Sequence, residues 1–70
     1  MDATKISVWY DATSGDDRWI VSADTDYGTT TLSTHDDRQS AIDAGRDDAT
    51  TYELPLVEVD AMGVEIDRLA

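Results

Sequence analysis

Thr34-His35-Asp36-Asp37 sets the chain's one imidazole among a hydroxyl and two carboxylates. Nucleophilic catalysis needs a nucleophile activated by a base within hydrogen-bond reach. The chain has no cysteine, so the imidazole would have to work on a hydroxyl. The spacing points elsewhere. His35 falls on the first turn of a predicted helix, exposed beside Asp36, and Thr34 reads more simply as the cap of that helix than as a nucleophile. No catalytic residue is assigned, and the chain is not expected to be an enzyme.

The carboxylates come as adjacent pairs, Asp16-Asp17, Asp36-Asp37 and Asp47-Asp48. Neighbours in sequence point apart on a helix or strand, so adjacency alone makes no metal site. Asp24-Thr25-Asp26-Tyr27-Gly28 begins like a calcium loop. Gly28, however, stands where an oxygen ligand belongs, Thr29 replaces the turn glycine and His35 replaces the closing glutamate. Loose cation binding by the surface is expected, with no specific metal or cofactor. Phosphate recognition needs facing bases, but Lys5, Arg18, Arg38, Arg46 and Arg68 are scattered among acids. Trp9 and Trp19 could stack on unpaired bases, although two tryptophans in a small sheet more simply fill a core. A nucleic-acid-associated protein, or an acidic mimic of nucleic acid, is therefore a secondary reading. A metal-binding protein or enzyme comes last.

The charge has a simpler account. Sixteen acids, thirteen of them Asp, face five bases, of which only Lys5 is a lysine, for a net charge of −11 over 70 residues. Hydrophobic residues make up 40% of the chain and fall in regular patterns, which argues against disorder. Acid excess with little lysine resembles the proteins of salt-accumulating archaea. At molar salt the screening length falls to about 3 Å, so repulsion among surface carboxylates largely disappears. High net charge then keeps the chain soluble where salt promotes association. No signal peptide or membrane span is apparent, so a cytoplasmic location is the default expectation.

A few elements must carry these residues, all within one domain over residues 1–70. Residues 5–10 and 18–23 alternate and are rich in β-formers, predicting a hairpin across the turn-rich 11–18 with Gly15 near its centre. After the turn at 24–28, residues 29–32 could form a short third strand. A helix capped by Thr34 follows. At 100° per residue it sets Arg38, Ala41, Ile42, Gly45, Ala49 and Tyr52 on one face and Gln39, Asp43 and Asp47 opposite. The small residues along the stripe predict close approach to a flat partner, a sheet. Residues 54–60 and 64–69 then form two strands around Asp60-Ala61-Met62-Gly63, with Pro55 near the start and Gly63 suited to a left-handed position. The expected architecture is α+β, with order β-β-(β)-α-β-β: a small antiparallel sheet of four or five strands with one helix packed on it.

Trp19-Ile20-Val21, Thr34 before the helix, Ala41-Ile42, Ala44-Gly45-Arg46 and Ala49 within it, Leu56-Val57-Glu58-Val59 and Gly63-Val64-Glu65-Ile66 form a recognisable series. The chain resembles in these a small domain family catalogued as family 2188 among domains of unknown function. The resemblance runs from about Trp19 to Ile66, with Asp in place of most of that family's lysines. It implies the same fold and carries over no activity.

The hairpin register decides which tryptophan is core. With Val8 opposite Trp19, residues Ile6, Val8, Tyr10, Trp19, Val21 and Ala23 share a face, leaving Trp9 and Ile20 on the other, to be joined by Leu56 or Leu69. A one-residue slip moves Trp9 to the side of Trp19 and Val21. One helix covers one face, so the preferred register leaves Trp9 and Ile20 as a self-association surface. The expected protein is a small halophile-adapted interaction or structural module, a homodimer with an unidentified protein partner. Neither nucleic acid nor membrane is expected to bind it.

Overall fold

Alternating β-rich sequence builds three long strands before the helix. The computed structural model describes residues 3–12 and 18–70. They form β1 (Ala3–Asp11), β2 (Arg18–Thr25), β3 (Gly28–His35), α1 (Arg38–Tyr52), β4 (Leu56–Val59) and β5 (Glu65–Arg68). This is the expected α+β order, with the third strand present and eight residues long rather than four. The middle of the turn expected over 11–18, Gly15 included, lies outside the described residues.

The strands make one sheet in the order β3-β2-β1-β4-β5. It is mixed rather than wholly antiparallel, because β1 and β4 run parallel. The reason lies in the connection. Hairpins reverse the chain between β1, β2 and β3, and a helix then carries it back, so β4 runs the same way as β1. It lands beside β1 instead of extending the edge at β3.

Within the first hairpin Val8 pairs with Val21, Trp9 with Ile20 and Tyr10 with Trp19. The pairing differs by two residues from Val8 opposite Trp19. A two-residue shift leaves every side chain on its face. Ile6, Val8, Tyr10, Trp19, Val21 and Ala23 therefore share one face, and Trp9 and Ile20 lie on the other, as expected. Tyr10 and Trp19 meet with ring centroids 5.3 Å apart.

The helix begins later than its sequence suggests. Thr34 and His35 belong to β3, paired with Ile20 and Trp19. The N-cap is Asp37, extended at φ −136, ψ 162, whose carboxylate accepts the Ser40 N–H. Both residues are good caps. The ladder to β2 decides between them, because strand pairing already occupies Thr34. Ala41, Ile42, Gly45 and Ala49 are the buried helical residues, in agreement with the predicted stripe. Arg38 instead reaches out to Glu58 on β4 with an Nη2–Oε1 distance of 2.6 Å, and Tyr52 is half exposed.

Gly45 marks the closest approach. A Cβ there would lie 2.9 Å from Leu56 Cδ1 and 3.2 Å from Val8 Cγ2. The core under the helix combines Ile6, Val8, Val21, Ala23 and Leu56 with the helical stripe, so Leu56 lies on the helix side, paired with Ile6, and not with Trp9 and Ile20. Gly63 has φ 84, the left-handed conformation expected of it in the β4–β5 turn. Among the described residues, no helix is long and apolar enough to cross a membrane.

Candidate functional site

The helix packs on β1 to β4 and does not reach β5. Its width explains this. A helix with its side chains is about 10 Å across, whereas strands lie about 4.8 Å apart, so one helix cannot cover five strands. What the opposite face and the β4–β5 end do without that cover defines the candidate surface.

On the face away from the helix, Ser7, Ile20, Ser22, Val57 and Val59 are all more than nine-tenths buried. Side chains of the sheet itself provide the cover. The half-buried Trp9 donates its indole N–H to Ser22 Oγ at 3.2 Å, which ties the ring down beside its cross-strand neighbours. Ser7 Oγ donates to Asp24 Oδ2 at 2.7 Å. Thr29 donates to the other oxygen at 3.3 Å, and Lys5 Nζ lies 3.7 Å from the same carboxylate. Both buried hydroxyls are thus satisfied, as buried polar groups must be. Asp24 is thus engaged by three of its own neighbours.

Beside this network runs a shallow groove of about 270 Å³, lined by Ser7, Trp9, Asp24, Thr29, Met62 and Gly63 among others. A second groove, about 390 Å³, lies at the same end of the sheet between Tyr10, Trp19, Val59, Ala61 and Ile66. The two share Val59, Asp60 and Ala61, so the β4–β5 turn is a wedge between them. Asp60 builds that wedge by accepting the backbone N–H groups of Met62 and Val64, both at 2.9 Å. The apolar side chains on it face solvent: Met62 is 88% exposed, Val64 61% and Ile66 62%.

The residues singled out in the sequence therefore separate. Trp9 borders a groove. Ile20 lies on the expected face but is only 7% exposed within one chain, so it offers little area to a partner. Met62, Val64 and Ile66 were not singled out, because alternation in a hairpin reads as an ordinary half-buried strand. The signal available was the width of the sheet against a single helix.

His35 Nε2 lies 2.8 Å from Ser33 Oγ, two residues back along β3. A productive serine–histidine pair needs a third group to orient the base. Asp37 is an acid whose charge feels that of His35, but its carboxylate receives the Ser40 N–H at 2.7 Å. That hydrogen bond, with a smaller contribution from the charge of His35, holds Asp37 below the usual carboxylate range. Asp37 acts as a helix cap. Neither groove reaches the pair.

Among the described residues no three His, Asp or Glu side chains converge to hold a metal ion. The bases stand apart: Lys5 by Asp24, Arg18 opposite Asp11, Arg38 on Glu58, Arg46 on the helix and Arg68 on β5. The hydrogen bond from Arg38 to Glu58, and the attraction between their charges, raise the guanidinium pKa further.

No family model, no curated protein and no solved structure matches this chain.

Proposed function

We propose that this chain is a small interaction module that self-associates through the face bearing Trp9 and the β4–β5 hairpin. One observation carries the reading. Met62, Val64 and Ile66 are each more than half exposed on the β4–β5 hairpin, beyond the reach of the helix, on a chain of net charge −11. Apolar residues gathered at one end of a small acidic domain mark a contact site more readily than scattered ones do. The partner is a second copy, and the resulting interface is isologous. The medium is a salt-rich cytoplasm. There a screening length of about 3 Å lets two chains of charge −11 approach.

Light scattering in molar potassium chloride tests the proposal. The wild-type chain should be oligomeric, and Met62→Asp should reduce its mass while leaving the circular dichroism spectrum unchanged. A wild-type monomer at high micromolar concentration would overturn the proposal.

A further inference from the structure

Among the described residues the sheet ends in two free edges, β3 and β5, and they are guarded differently. An edge strand presents unpaired N–H and C=O groups, which proteins commonly blunt with charge, shortness or a bulge. β5 is four residues long, and three of them are Glu65, Asp67 and Arg68. β3 has eight residues and no carboxylate, lysine or arginine among them: Gly28, Thr29, Thr30, Thr31, Leu32, Ser33, Thr34 and His35. It lies inside residues 27–35, the longest stretch of the chain without a carboxylate. The comparable acid-free stretch, residues 3–10, belongs to the central strand, whose Ile6, Ser7 and Val8 are buried between neighbours on both sides. No such burial excuses β3, whose residues 28–31 are all exposed.

One blunting device is present on β3. The register shifts between Val21 and Ser22, whose partners are Ser33 and Thr31, so Leu32 is an extra residue. It packs against the core under the helix, and the strand on its N-terminal side, Gly28–Thr31, pairs regularly with β2. Threonine suits a paired strand, and Thr–Thr pairs across strands are favourable. Tyr27, at the tip of the same hairpin, is 96% exposed.

We infer that β3 pairs edge to edge, antiparallel, with β3 of a second copy of this chain. Charge selects the occupant. Strand pairing brings like residues of two identical chains close to a two-fold axis, where any carboxylate would face its own copy. β3 is the edge from which carboxylates are missing. An antiparallel pair has its two-fold axis perpendicular to the sheet. The product is one ten-stranded sheet, with both helices on one side and both Trp9 faces on the other. This contact is separate from the proposed one through Met62. Edge pairing alone gives a dimer, and both contacts together give a tetramer of the dihedral kind common among soluble oligomers.

Light scattering in molar potassium chloride on wild type, Thr31→Asp and Met62→Asp separates the two contacts. Thr31 is exposed, and the aspartates of two chains would meet near the axis, so Thr31→Asp should halve the assembled mass with unchanged circular dichroism. If Met62→Asp leaves the mass unchanged while Thr31→Asp halves it, the edge stands and the Met62 contact fails. If Thr31→Asp keeps the wild-type mass, or wild type is monomeric, the edge inference is overturned. Amide hydrogen exchange on the wild-type chain decides the matter if Thr31→Asp fails to fold. The N–H groups of residues 28–31 that point away from β2 should be protected at high concentration and should exchange freely on dilution. Free exchange at all concentrations would overturn edge pairing.

Discussion

The two faces of the sheet solve the burial problem by opposite means. Under the helix, small residues bring two rigid elements together: Gly45 sits over Val8 and Leu56, with Ala41 and Ala49 along the same stripe. On the other face no second layer is present among the described residues. Trp9 is tied over Ser22, and Asp24 gathers Ser7, Thr29 and Lys5. The first face depends on shape and the second on hydrogen bonds. Packing defects should therefore be costly on the helix side, and losses on the other side should be smaller and more sensitive to solution conditions.

Leu56 and Val57 are consecutive residues on opposite faces, 0% and 4% exposed. Leu56→Ala should open a cavity under the helix at a cost of about 2–5 kcal/mol. That rivals the roughly 3–5 kcal/mol a core of this size supplies, so the variant should be largely unfolded at room temperature in a urea titration. Val57→Ala removes two methyl carbons at about 0.8 kcal/mol each and should stay folded. Equal losses at the two positions would break the distinction between the faces.

Gly45→Leu sharpens it from the other direction. Even a Cβ would crowd Leu56 and Val8, and overpacking typically costs about 1–3 kcal/mol. A melting temperature equal to that of the parent would mean that the helix rides higher on the sheet than described. Ser22→Ala tests the hydrogen-bonded face. Losing the partner of the Trp9 indole should cost about 1 kcal/mol, and should leave Trp9 fluorescence shifted toward that of a solvated indole. An unchanged spectrum and an unchanged melt would show that the indole is held by packing alone.

The smallest effect concerns the helix start that abuts both β3 and the covered face. The Asp37 pKa is lowered in the folded chain from its ordinary 3.8 by the hydrogen bond from Ser40. A depressed carboxylate stabilises the fold above its unfolded pKa and loses that contribution as pH falls through its folded one. Asp37→Asn keeps a capping oxygen but cannot titrate. It should therefore melt like the parent near neutrality and lose less stability on acidification below pH 3.8. A parent-like acid limb would remove Asp37 from the account of acid unfolding.

By itself the sequence determined the elements and the faces. Strand alternation has a period of two, so a two-residue error in pairing Val8 left Trp9 and Ile20 on the correct side. The stripe of Ala41, Ile42, Gly45 and Ala49 followed from helical geometry alone, and Gly63 from the turn it had to make. Three things waited for the tertiary structure. The helix start moved from Thr34 to Asp37, because pairing with Ile20 and Trp19 extended β3 over residues that are locally neutral between strand and cap. The sheet became mixed, because β4 found its place beside β1, a choice made by long-range packing. Ile20 became buried and Met62, Val64 and Ile66 exposed, because how far one helix reaches across five strands is a property of the assembled layers and of no local segment.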